Sequence, residues 1–249
     1  MKAIRNSVLL VFCVGLVPVA FAQADQQEEK PENLQVLSEN MSIQQVRRVM
    51  FQFNNALGVR CIYCHVGEEG KPPSTYDFAS DDKETKETAR AMMRMVQVIN
   101  DDHIYELPDG DESIAVNCQT CHHGLPKPQL LEDVLTDHFA EHGVEETLTE
   151  YETLKEKHFG GFAYNFQEGT LNRLAQRLLS QSELEAAQAF LTLNLSMYPN
   201  SSDAYALQAE TEIASGDNEA AIKSLEKAIE LNPRNRRVRE RLTGLKGEN

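Results

Sequence analysis

Four of the five cysteines of this 249-residue chain fall in two pentapeptides of one form, Cys61-Ile62-Tyr63-Cys64-His65 and Cys118-Gln119-Thr120-Cys121-His122. Two thiols at this spacing can each add to one vinyl group of the same porphyrin, and the adjacent histidine is then placed to ligate the iron from the proximal side. C-x-x-C-H thus predicts covalent attachment of a haem c at Cys61 and Cys64 with His65 on iron, and again at Cys118 and Cys121 with His122. Other uses of these residues fit less well. Zinc ribbons pair C-x-x-C units about 15–20 residues apart and need no histidine after each. A thioredoxin-like site wants its C-x-x-C near a β-α-β pattern, and local disulfides leave both histidines unexplained.

Each motif follows a segment patterned as an amphipathic helix. In the first, Ser42 and Gln45 form a capping-box pair. Ile43, Val46, Met50, Phe53 and Leu57 then recur at three- and four-residue steps, and Gly58 sits where a helix-ending glycine belongs. In the second, Asp81 and Glu84 are placed to cap a stripe of Thr85, Ala89, Met92, Val96 and Ile99, with Met95 beside it. A methionine on such a stripe is often core filler. Here each stripe must face something, and each iron needs a sixth ligand, so Met50 and Met92 are the distal candidates. Met95 and His103 are the alternatives to Met92. Residues 67–73 and Pro108–Asp111 read as loops. The span 39–128 is short for an independent core, and two porphyrins would supply the missing apolar mass.

The amino terminus reads as an export signal. Lys2 and Arg5 precede the apolar run Val8–Ala22, which ends in the small-x-small sequence Ala20-Phe21-Ala22. Cys13 lies behind Phe12, outside the context of a lipid-attachment cysteine. Cleavage after Ala22 moves the formal charge from -15 to -17 and leaves four cysteines. That acidic balance argues against nucleic-acid binding and favours steering toward basic patches on redox donors and acceptors. No later run is long enough to span a bilayer. A periplasmic or secreted protein with an acidic leader over 23–38 is expected.

The segments VMFQFNNALGVRCIYCHV, DFASDDKETKETARAMMRMVQVIN and CQTCHHG resemble one repeat of the cytochrome subunit of bacterial photosynthetic reaction centres. They are also similar to smaller exported proteins that carry a single two-haem repeat. The resemblance covers residues 40 to 126. It implies that each haem lies against the helix preceding its motif, with a methionine of that helix as distal ligand. Carried over by position, this role falls on Met50 and on Met92, the earlier methionine of the pair Met92 and Met95. The full subunit has four haems, one of them with two histidine ligands. This chain has one repeat's worth of motifs and no matching distal histidine.

Past Gly160 a period of 34 residues appears, the tetratricopeptide length. Leu171, Ala175, Ala187, Leu191 and Pro199 recur as Tyr205, Ala209, Ala221, Leu225 and Pro233. Residues 165–249 therefore read as tetratricopeptide-like repeats, with Arg236–Leu245 as a capping helix. Two helices turning at Gly143 are expected within the connector, 129–164. Two repeats bury little by themselves, so the module should pack on its neighbours or pair with another copy. It would serve as a docking or oligomerisation surface, or as a stabilising extension. His123 directly follows a proximal histidine and cannot face the same iron, while His138, His142 and His158 lie at helical positions and read as surface residues.

The expected fold is mainly α: a small two-haem domain followed by α-α repeats. The expected function is electron carriage or relay, without catalysis. Two rivals from other classes are a peroxidase-type haem enzyme with one open iron and a redox-sensing scaffold. No Arg/His-rich distal signature accompanies either motif.

Overall fold

The structure, a computed structural model, describes residues 30–106 and 114–247. The expected signal segment, part of the acidic leader and the loop around Pro108–Asp111 lie outside the described residues. The described chain is helical, and its one β feature is an isolated bridge between Val66 and Asp77.

Helix α1, Ile43–Leu57, starts at the expected capping box, with the Ser42 amide donating to Gln45 Oε1 at 2.8 Å and the Gln45 amide to Ser42 Oγ at 3.4 Å. It stops at Gly58, whose left-handed φ of 65° most residues disfavour. Gly58 also meets Gly124, just past the second motif. A Cβ at Gly58 would lie 2.2 Å from the Gly124 carbonyl oxygen, and the Gly124 amide donates to the Ala56 carbonyl at 2.8 Å. The end of the first helix is thereby stitched to the end of the second motif.

Helix α2, Glu84–Val98, is not capped by Asp81 as its pattern predicts. The residue before the helix is Lys83, which makes no capping bond. Asp81 is held instead by Lys86 at 2.9 Å, Arg90 at 2.9 Å and Asn33 Nδ2 at 2.9 Å. Both cations are buried, so their need for a counter-charge outweighs a helix amide's need for a cap. Past Val98 the helix widens into a π-helical stretch, Ile99–Ile104.

Helix α3, Cys118–His122, is the second motif itself. Helix α4, Leu131–His158, is two arms that break at Gly143 (φ 79°, ψ -175°), where the expected turn lies. Helices α5 (Glu168–Ser180), α6 (Leu184–Met197), α7 (Ser202–Ala214) and α8 (Asn218–Leu231) form two successive hairpins, followed by the terminal helix α9, Arg236–Gly247.

The arms of α4 are more than a connector. Leu131, Leu135 and Tyr151 share one buried cluster with Phe166, Leu171, Leu174, Leu178 and Phe190. Glu132 and Asp133 pair with Arg173 and Arg177 of α5 at 2.5 and 2.8 Å. The module thus packs on its neighbour as two short repeats require. Farther along, alanines sit at the crossings, with Ala175, Leu191 and Ala204 joining the hairpins. Ala209, Ala221, Leu225, Ala228, Val238 and Leu245 fill the core that α9 closes. Each fully buried leucine contributes about 1.5–3 kcal/mol to such a core.

Candidate functional site

The first motif follows α1 after three residues and folds as one 3-10 turn, Cys61–Tyr63, with the His65 amide donating to the Cys61 carbonyl at 3.0 Å. Asn54 Nδ2 approaches Cys61 Sγ at 4.0 Å. Met50 lies four residues before Asn54, hence on the same face of α1. The candidate distal methionine and the first thiol therefore address one side of that helix, and Met50 is half-buried there.

The second motif is helical because Asn117 caps it, accepting from the Thr120 amide at 3.2 Å while its own amide donates to Thr120 Oγ1 at 3.1 Å. His123 then turns left-handed (φ 50°) and is exposed.

Helix α2 and its π-helical continuation bridge the first motif and the chain just before the second. At its start Thr85 Oγ1 donates to the Tyr63 carbonyl at 2.6 Å, and Lys83 Nζ donates to the Ile62 carbonyl. Near its end Asn100 makes a reciprocal pair with the Val116 backbone, donating at 2.9 Å and accepting at 2.8 Å. Asn100 thereby fixes the chain two residues before Cys118. Asparagine at the end of a helical pattern carries no sequence signal for such a long-range pair. Met92 and Met95 are 42% and 47% exposed. Exposure does not choose between them. His103 lies exposed in the π-helical stretch.

The imidazoles differ in their second nitrogen. His122 Nδ1 lies 2.8 Å from the Leu125 carbonyl. A carbonyl only accepts, so Nδ1 is the donor, which leaves Nε2 as the nitrogen placed to meet a metal. His65 Nδ1 is buried and makes no hydrogen bond of acceptable geometry. Its ring stands edge-on to Phe78 with centroids 4.9 Å apart. Burial, then the Lys86 ammonium, pushes the His65 proton affinity down, against a smaller upward pull from the Phe78 backbone. His65 is therefore set to be a neutral imidazole.

The four motif cysteines form no disulfide. Burial raises the Cys64 and Cys118 pKa values, so neither is a standing thiolate nucleophile. Among the described residues no three His, Cys, Asp or Glu side chains converge as a metal cluster. The four thiols are thus not gathered as a zinc ribbon would gather them.

The apolar balance shows what the two motifs suit. Before Leu131 the buried apolar side chains among the described residues are Ala56 and Leu125, while Phe51, Tyr63, Phe78, Met92, Met95 and Val98 are 41–65% exposed. A group that fits here must be large and apolar, must react with paired thiols and must accept neutral imidazole. Haem has all three properties.

Elsewhere, His138 is half-buried rather than on the surface. Its Nδ1 lies 3.0 Å from Thr147 Oγ1, which itself donates to the Gly143 carbonyl at 2.7 Å, so this histidine ties the two arms of α4 together.

The sequence model described as the photosynthetic reaction centre cytochrome C subunit matches residues 13–159, and a tetratricopeptide model matches residues 202–235. Cytochrome c-554 of Chloroflexus aurantiacus is 38% identical over 102 residues, 41% of this chain and 22% of that protein. The photosynthetic reaction center cytochrome c subunit of Thermochromatium tepidum is 31% identical over 121 residues, 47% of this chain and 26% of that one. That of Rubrivivax gelatinosus is 34% identical over 92 residues, 32% and 23% respectively. The match spans about a quarter of the length of these relatives.

Proposed function

The chain belongs to the photosynthetic reaction centre cytochrome c subunit family, a haem-containing electron-transfer cytochrome by that membership, and we propose that it is an exported carrier or relay holding two haem c groups. Cys61 and Cys64 would hold the first through thioethers, with His65 and Met50 on its iron. Cys118 and Cys121 would hold the second, with His122 and Met92 on iron and Met95 or His103 as the substitutes. Haem c bound there supplies one-electron exchange between ferric and ferrous iron. The protein's own part is to orient and to exclude water. The Leu125 carbonyl orients His122, Asn100 sets the entry to α3, and the stripes of α1 and α2 offer apolar cover. With a methionine as well as a histidine holding each iron, the ferrous state would be favoured relative to two histidines, which would suit a donor to moderately oxidising partners.

The observation that carries this reading is the apolar imbalance around two C-x-x-C-H units, in a region whose segments are otherwise held together by polar ties. The helical repeats would give partners a docking surface or pair two copies. Among the described residues no helix is long and apolar enough to cross a membrane. Export rests on the amino-terminal signal alone.

The test is mass spectrometry and optical redox titration of the full protein from a host that exports and matures c-type cytochromes. The mature chain should carry the mass of two haems, keep both after denaturation, and be low-spin. Free thiols or zinc at the four cysteines would end the proposal. Carbon monoxide separates carrier from peroxidase-type enzyme: a carrier with two methionine-ligated irons binds it poorly, whereas an open iron takes it up at once.

A further inference from the structure

We propose that Lys86 is a positioning residue for the first haem: it anchors the loop whose Phe78 ring abuts His65 and sets a buried positive charge beside that imidazole, making the first haem the more readily reduced of the two. This rests on the reading of His65 and His122 as proximal ligands.

Lys86 comes from α2, the helix that leads to the other motif, and its side chain is only 11% exposed. Its ammonium donates to three successive carbonyls, Phe78 at 3.1 Å, Ala79 at 3.0 Å and Ser80 at 2.7 Å, and faces Asp81 Oδ1 at 2.9 Å. An ammonium has three protons, so these acceptors saturate it. The loop they fix carries Phe78, whose ring abuts His65.

Two features around His65 have the same sign. A proximal imidazole that donates firmly from Nδ1 gains basicity and favours ferric iron. His122 has such a bond, to Leu125. His65 has none of good geometry. Nearby positive charge also favours the ferrous state. Lys86 and Arg90 are opposed by Asp81 and Glu87, so the formal charges balance. The cations are 11% and 7% exposed, however, against 37% and 50% for the carboxylates. Water screens the carboxylates more, and the cations dominate the field inside.

The experiment is a spectroelectrochemical titration of the mature two-haem protein and three variants. Wild type should give two separated one-electron waves. Lys86→Met should move the upper wave down and leave the lower wave in place. Lys86→Arg should restore most of that shift, and Asp81→Asn, which keeps Lys86 and removes its counter-charge, should move the upper wave up. A purely structural lysine would change haem loading or broaden both waves without opposite shifts in the two variants. An unmoved upper wave in a fully loaded Lys86→Met protein, or a shift of the lower wave, would overturn the proposal. Should Lys86→Met fail to assemble, Asp81→Asn decides alone, and a still or falling upper wave there is equally fatal. Fewer than two haems by mass in wild type refutes the underlying reading, whereas two haems with coincident waves refute only this inference.

Discussion

The contact between Gly58 and Gly124 can be tested by adding one methyl group. Gly58→Ala places an L-residue at φ 65°, which costs about 1–2 kcal/mol in the left-handed region. It also sets a Cβ 2.2 Å from the Gly124 carbonyl oxygen, and this neighbour is backbone that cannot rotate away. A relaxed carbon–oxygen contact needs about 3.3 Å, so the two segments must part by roughly an ångström. That parting lengthens the 2.8 Å bond from the Gly124 amide to the Ala56 carbonyl, worth about 1 kcal/mol net. The expected loss is about 3 kcal/mol. Gly70→Ala is the control: it has a similar φ of 79° and nothing within 4 Å of its added Cβ, so it should lose only about 1–2 kcal/mol. Equilibrium denaturation of the holoprotein, followed in the haem Soret band, measures both. Equal losses in the two variants, within about 0.5 kcal/mol, would show that the ends of α1 and the second motif do not meet as described.

Three further outcomes are expected. Met92→Ala should turn one haem high-spin or exchange its ligand, with Met95→Ala and His103→Ala leaving both low-spin; a spectrum changed by His103→Ala alone would assign two histidines to the second iron. Asn100→Ala leaves both Val116 backbone groups without their partners, costs about 1–3 kcal/mol, and should broaden the second haem's bands while sparing the first; equal broadening of both would contradict the local role of this residue. Arg90, Asn33 and Lys86 hold the Asp81 carboxyl well below the usual carboxylate range, so its contribution is present above about pH 4 and fades as pH falls further. Acid unfolding of wild type should therefore be steeper below pH 4 than that of Asp81→Asn, and superimposable curves would refute the assignment.

What could be read from residues alone was what depends on near neighbours. The capping box at Ser42 and Gln45, the stop at Gly58 and the turn at Gly143 are local backbone demands, and each is found where its pattern places it. The 34-residue period was legible because alanine at a helix crossing leaves a repeated size constraint. Distant partners decided the rest. Asp81 has the form of a cap, yet two cations up to nine residues away and Asn33 of the leader claim it. Nothing near Asn100 announces the Val116 backbone. Residues 129–164 showed their helices but not their packing, because burial of Leu135 and Tyr151 follows from where α5 lies. His138 looked like a surface residue because its partner, Thr147, is brought to it only by the break in α4.

These long-range bonds have a common address. Asn100 to Val116, Thr85 to Tyr63, Lys86 to Phe78–Ser80 and Gly124 to Ala56 all pin backbone beside a C-x-x-C-H unit. Such bonds are directional and fix position, but each contributes only about 1 kcal/mol net. Apolar burial, the larger stabilising force, lies past residue 130, where α4 and the repeats keep a packed core. A region that is held by polar ties and keeps its phenylalanines and methionines half open is organised to receive an apolar group of its own size. The region beyond Leu131 needs no such group. Ending the chain near Pro128 therefore removes a neighbour and none of the proposed ligands. Both low-spin spectra should survive that truncation, and loss of one would move the search for an iron ligand to His138 and His142.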